Sequence, residues 1–169
     1  MKKVLFVWML MLASICGAQS YSAPRFTATF NGPVTTSSGV NDAKTSSYVI
    51  YGSSQGDVEE EVTVKNIYAG SIDVTLDSAR FYRNELAKQQ TLLTDISSEG
   101  YYEGHPYAYG NYKIAANGVD YFYFVRFIIV DQHTAVFISM SFPVQNSYAK
   151  TPAGAYQLWQ DFENTLNIQ

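Results

Sequence analysis

The sequence predicts an α+β fold, a mostly antiparallel sheet with helices packed on both of its faces, as in an α/β/α sandwich. Three observations lead to this class. Several segments alternate apolar and polar residues with the two-residue period of a strand, and two others repeat apolar residues with the period of a helix. Residues 122–130 are apolar at nearly every position, and such a strand needs cover on both faces of its sheet.

Three strands are predicted in the first part of the chain. Phe26–Phe30 places three apolar side chains on one face. Residues 45–50 form the second strand and Val58–Ile67 the third. The small polar residues 35–42 predict a loop, and residues 21–24 predict a short tether.

The period then changes to that of a helix. Residues 75–90 carry apolar side chains at helical spacing without Gly or Pro, and Asp73 or Thr75 is the predicted N-cap. A strand follows at residues 92–100. Near the C-terminus, residues 155–166 predict a second helix, with an apolar stripe formed by Leu158, Trp159, Phe162 and Leu166.

A hairpin is predicted between these helices. Asn117-Gly118 separates residues 107–116 from residues 119–130, and because both turn residues tolerate positive φ, a two-residue turn fixes the register. Residues 134–142 return beside the second strand. The expected cross-strand pairs are Ile114 with Tyr121, Tyr112 with Tyr123, Ala108 with Phe127, Lys113 with Phe122, Asn111 with Phe124 and Tyr109 with Arg126.

The N-terminus has the pattern of a secretory signal peptide. Two lysines precede an uninterrupted apolar run at residues 4–13, and small residues follow. This run is shorter than the roughly 20 residues that a membrane-spanning helix needs. We expect residues 1–18 to be a cleaved signal peptide and residues 19–169 to be a single domain, located in the periplasm or secreted.

Cys16 leaves one alternative open. Residues 12–16 resemble a lipobox, whose cysteine is lipidated and anchors the protein, but Ile15 stands where that motif has a small residue. Cys16 is the only cysteine of the chain. If it is removed with the signal peptide, the domain has no disulfide and its stability comes from burial alone.

Charge argues against two kinds of partner. The chain has 11 basic and 15 acidic side chains, and loss of Lys2 and Lys3 leaves a domain with a net charge of −6. Because the basic residues form no cluster, we expect neither nucleic acid nor an anionic membrane surface as a partner. No later segment is long and apolar enough for a stable membrane span.

Motifs along the domain resemble the PsbP-like family. Residues 26–33, Phe-Thr-Ala-Thr-Phe-Asn-Gly-Pro, are similar to its opening strand F-x-V-x-F followed by P-G-x-P. Its central helix, its small G-x-P turn and its last strands and helix are similar to residues 75–90, Gly104-His105-Pro106, residues 119–142, Trp159 and Phe162. The resemblance spans nearly the whole domain. It implies an α/β/α sandwich and an accessory or partner-binding role, as in exported bacterial members, but it assigns no site residue.

Catalytic signals are weak. His105 and His133 are the only histidines, and each falls in a predicted turn. A catalytic triad or a zinc site needs them to converge with a nucleophile or with further ligands. Residues 59–61 are three glutamates, a charge run that usually lies solvated or protects a sheet edge. We therefore expect no enzymatic activity, no metal and no cofactor.

Tyrosine is concentrated in one region: half of the 14 tyrosines lie between Tyr101 and Tyr123. Cross-strand packing explains most of them. Those that stay exposed form an amphipathic contact patch for a partner. This patch, called the aromatic rim below, is predicted to consist of Tyr101, Tyr102, His105, Tyr107, Tyr109 and Arg126.

Three functions remain open from the sequence. The favoured one is a non-catalytic binding or accessory domain of the bacterial cell envelope, with a protein or glycan as partner. The second is a small secreted hydrolase that uses His105 or His133. The third is a tyrosine-rich structural or adhesive surface protein, which the absence of a repeated hairpin pattern disfavours.

Overall fold

The computed structural model describes residues 18–68, 73–88, 91–145 and 151–169. The predicted signal peptide and Cys16 lie outside these ranges, apart from Ala18. Within them, no helix is both long and apolar enough to cross a bilayer. The elements are β1 (Gln19–Ala23), β2 (Phe26–Phe30), β3 (Val34–Val40), β4 (Ser46–Gln55), β5 (Val58–Ile67), α1 (Leu76–Lys88), β6 (Thr91–Tyr102), β7 (His105–Ala116), β8 (Val119–Asp131), β9 (Thr134–Pro143), α2 (Pro152–Glu163) and β10 (Asn167–Ile168).

The strands form two antiparallel sheets. Seven of them lie in the order β3-β4-β5-β9-β8-β7-β6, and the other three form a small sheet in the order β1-β2-β10. The predicted α/β/α sandwich is therefore wrong. Residues 19–23 and 167–168 pair with β2, so that one face of the large sheet is covered by a second sheet with α2 beside it.

The main core lies between the two sheets. Every second residue of β2 is buried against the large sheet, and α2 contributes Trp159 and Phe162 to the same cluster. The Trp159 ring is stacked on the ring of Phe124 in β8, with centroids 5.6 Å apart. This core anchors α2, and with it the C-terminal segment, to the middle of the large sheet.

A second core lies on the opposite face, beneath α1. This helix packs over β6, β7 and β8, and Ala79 is fully buried there. Thr75 caps the helix as predicted: its Oγ1 accepts from the backbone N–H of Ser78, and Ser78 Oγ accepts from the backbone N–H of Thr75. Residues 125, 127 and 129 of β8 face this core, whereas residues 124, 126 and 128 face α2.

The predicted hairpin is confirmed. Asn117 has φ of 52° and Gly118 has φ of 78°, and all six expected cross-strand pairs are present. Two other predictions are wrong. The tether at residues 21–24 belongs largely to β1, and most of the loop at residues 35–42 forms β3, which pairs with β4 along its whole length.

Candidate functional site

The β6–β7 hairpin positions most of the aromatic rim. Cross-strand partners point to the same face of a sheet, and the direction alternates along each strand. Tyr102 pairs with His105, and Tyr109 pairs with Arg126 of β8. Together with Tyr107, these residues lie on the face that also carries α2, so the structure brings five of the six predicted residues together.

Tyr101 is the exception, because it alternates with Tyr102 and points to the other face. It lies on β6, an edge strand of the large sheet, and it is 76% exposed. The chain turns directly after it, at Glu103 and Gly104, both of which have positive φ. Residues 101–105, called the hairpin tip below, therefore present tyrosines on both faces.

Arg126 is buried rather than part of an exposed surface. Its guanidinium carbon lies 4.6 Å from the ring centroid of Tyr109, 4.8 Å from that of Trp159 and 5.9 Å from that of Tyr107. Its Nε donates to Glu163 Oε1 at 3.0 Å. A buried charge is tolerated where it is paired and hydrogen-bonded, and these contacts satisfy both conditions. Arg126 thus holds the rings in place.

The C-terminal segment holds the hairpin tip in place through two hydrogen bonds. The Tyr102 hydroxyl donates to the carbonyl oxygen of Leu166, and the backbone N–H of Ile168 donates to Glu103 Oε2 at 3.4 Å. Burial, with the carboxylates of Glu103 and Glu163, raises the pKa of Tyr102 to about 12. The hydroxyl therefore remains a donor at neutral pH, and the tip is held at two points.

The histidines are placed differently from a catalytic pair. His105 begins β7, and His133 lies exposed in the turn between β8 and β9. Asp131 accepts from the backbone N–H of His133 at 2.8 Å, not from its ring. Burial acts to raise the pKa of Asp131, but hydrogen bonds from His133 and Thr134 and the charge of Arg25 outweigh it and lower that pKa. Asp131 thus closes a turn.

Residues 59–61 are not an edge feature, because β5 lies between β4 and β9. Glu59 and Glu61 are exposed, but Glu60 is only 2% exposed. Its carboxylate accepts from the backbone N–H of Asn31 at 2.7 Å and from the side-chain amide of the same residue. Burial raises the pKa of Glu60, against the lowering effect of these bonds. The burial of Glu60 could be predicted from the sequence, since Glu60 lies on the same face of β5 as Val58 and Val62.

Three other residues of the site were not predicted to belong to it: Asn111, which shares β7 with Tyr109, and two residues of the helix α2, which is distant in sequence. Asn111 Oδ1 accepts from Arg126 at 3.0 Å, while Glu163 and Trp159 belong to α2. The described residues contain no group of three or more His, Cys, Asp or Glu side chains that could hold a metal ion.

Comparison with known proteins shows which known structures have a similar fold. No protein-family model matches the chain, and no curated protein matches it in sequence. The cyanobacterial PsbP (CyanoP) of Synechocystis sp. PCC 6803 matches with a TM-score of 0.50 and 10% identity, over 92% of this chain and 95% of that one. PA94 from Pseudomonas aeruginosa, a protein of unknown function, gives a TM-score of 0.44 and 11% identity, over 86% and 92%. The match with CyanoP supports a PsbP-like fold, although the α/β/α layering that the resemblance implied is not present in the two-sheet structure.

Proposed function

We propose that the chain is an exported, non-catalytic accessory domain that binds an envelope partner through the aromatic rim. The observation that carries the proposal is the exposure of Tyr101. At 76% it is the most exposed large apolar side chain in the described part of the chain. Export is supported by the signal-like N-terminus of the sequence.

Rigidity at the hairpin tip supports a binding role. A contact surface that is already ordered loses less conformational entropy when a partner binds. Tyr102 is hydrogen-bonded to Leu166, and the rings of Tyr107 and Tyr109 lie 5.8 Å apart beside Arg126. The tip can therefore present Tyr101 at small entropic cost.

The chemistry of the rim favours a protein as the partner. Tyrosine combines a large apolar ring with a hydroxyl that forms hydrogen bonds, and it is enriched among the residues that dominate binding energy at protein interfaces. Tyr101 and Tyr102 point to opposite faces of an edge hairpin, so a partner that encloses the tip would contact both. A glycan is the second ligand class that fits these side chains.

Site-specific photo-crosslinking tests this proposal. A benzophenone amino acid replaces Tyr101 in one variant and Tyr68 in another. Tyr68 is a 42% exposed tyrosine directly after β5, and three strands separate β5 from β6. Each purified protein is irradiated in envelope extract. We expect a discrete adduct at position 101, whose added mass is identified as a protein by mass spectrometry, and none at position 68.

Two outcomes contradict the proposal. Equal adducts at both positions would show non-specific capture, and no adduct at position 101 would show that the tip is not a contact surface. An adduct whose added mass is removed by glycosidases would replace the protein partner with a glycan.

A further inference from the structure

The α1 face of the large sheet is open beyond the strands that α1 covers. Two cavities of about 490 and 280 Å³ lie there, and they share Glu61, Tyr123 and Ser139. They therefore form one continuous depression, called the trough below. Its floor comes from β3, β4, β5, β8 and β9, and α1 forms one wall through Tyr82, Glu85 and Leu86.

The trough exists because inner strands carry small polar residues on this face. In β9, Ile138 and Met140 are buried in the main core, whereas Ser139 and Ser141 alternate with them and line the trough. In β4, Gly52 leaves space above the floor, since a Cβ added there would meet only Thr35 Oγ1, at 4.0 Å. An inner part of a sheet is thus left without an apolar cover.

The lining is rich in hydrogen-bonding groups. Glu59 and Glu61 point into the trough from β5, and Thr63 Oγ1 donates to Glu61 Oε1 at 2.9 Å. Among the described residues, no Lys or Arg nitrogen lies within ion-pair distance of either carboxylate. The remaining hydroxyl groups of the larger cavity belong to Thr35, Ser54, Tyr123, Ser139 and Ser141, whereas the Ser53 hydroxyl lies on the other face and accepts from the backbone N–H of Gly32.

We propose that the trough binds a neutral oligosaccharide. Sugar hydroxyls donate to carboxylates, and they both donate to and accept from serine and tyrosine hydroxyls. The rings of Tyr82 and Tyr123 add apolar surface for the C–H face of a sugar. The larger cavity falls in the usual size range of small-molecule sites and accommodates about two sugar rings. The unpaired carboxylates disfavour anionic ligands.

This site goes beyond the proposed function. The trough lies on the face of the large sheet opposite to Tyr102, Tyr107 and Tyr109. A variant that disables the trough leaves the rim intact, so the two proposals fail or succeed independently.

Gly52→Val is the sharpest variant for the test. Gly52 lies within a strand and has no positive φ, so a β-branched side chain fits its backbone and projects from the floor into the larger cavity of the trough. Its thermal unfolding midpoint is expected to be equal to or higher than that of the wild type, because Val suits a strand better than Gly. Ser98→Val, at an exposed position of β6 on the opposite face, is the matched control.

The experiment is an NMR titration of the ¹⁵N-labelled protein with maltose, cellobiose and N,N′-diacetylchitobiose. We expect at least one disaccharide to shift amide signals of β4, β5 and β9 around the trough. Gly52→Val abolishes the shifts and Ser98→Val preserves them. Glu61→Gln weakens binding about tenfold, since a charged acceptor becomes neutral. The proposal is overturned if no disaccharide shifts these signals, if the shifts centre elsewhere, or if Gly52→Val binds like the wild type.

Discussion

Arg126 and Glu163 form an ion pair, Nε to Oε1 at 3.0 Å, which joins the middle of β8 to the last residue of α2. The two side chains are 5% and 18% exposed, so water solvates either charge only weakly. Tyr109 and Trp159 pack against the same guanidinium. The pair therefore couples the C-terminal helix to the residues of the aromatic rim.

Removing one member of this pair should be costly. Arg126→Met leaves the largely enclosed Glu163 carboxylate without its cation, and we expect a loss of about 3–5 kcal/mol in the free energy of unfolding. The double variant with Glu163→Gln should be less destabilised than the sum of the single variants, because the unpaired charge is gone. Urea unfolding measures all four proteins. Additive losses would show that the two side chains do not interact energetically.

Glu60 should make stability depend on pH. Burial raises the pKa of Glu60 in the folded protein above its usual value of 4.5. Between the unfolded and the folded pKa the native state holds the proton more tightly, so the free energy of unfolding falls as pH rises through that window. Above the pKa of Glu60 in the folded protein, the stabilisation that the bound proton provides is lost completely.

Glu60→Gln removes this dependence. We expect the difference in thermal unfolding midpoint, Glu60→Gln minus wild type, to increase as pH is raised from about 4 to 7. Glu61→Gln is the matched control for loss of a charge on the same strand. A difference that stays constant with pH would show that the Glu60 carboxyl titrates alike in the folded and unfolded states.

Replacing Gly118 with a β-branched residue should destabilise the hairpin turn. Its φ of 78° is a conformation that β-branched residues avoid, so Gly118→Val should cost about 1–3 kcal/mol. Gly118→Asn, which tolerates positive φ, is the control and should cost less. Thermal unfolding of both variants measures the difference, and equal midpoints would contradict the argument from φ.

The fold could be predicted from the sequence where one local signal dominated. Asn117-Gly118 determined the register of ten cross-strand pairs, and alternation located β2 and β5. Residues 34–40 have no apolar alternation and nevertheless form β3, because pairing with β4 satisfies their backbone groups. The small sheet depends on β10 meeting β2 from the far end of the chain. No local pattern reports such pairing, and for this reason the sandwich prediction was wrong.

The residues of the aromatic rim could also be predicted only in part. The hairpin register placed Tyr109 opposite Arg126, but Glu163, which pairs with Arg126, follows 37 residues later. Tyr101 was grouped with Tyr109 because both lie near one turn. Tyr101 and Tyr109 point to opposite faces of the sheet, because Tyr101 alternates with Tyr102 along β6. This difference can be recognised only once the β6–β7 register is known.

The most direct test of the binding proposal is the affinity of a rim variant for the crosslinked partner. Tyr101→Ser combined with Tyr109→Ser should weaken binding by about 2 kcal/mol or more, if these rings are interface hot spots, while circular dichroism and cooperative unfolding show a folded protein. Tyr68→Ser should bind like the wild type. Unchanged affinity of the folded double variant, measured by calorimetry, would contradict the account, and so would a double variant that is unfolded, because the rings would then belong to the core.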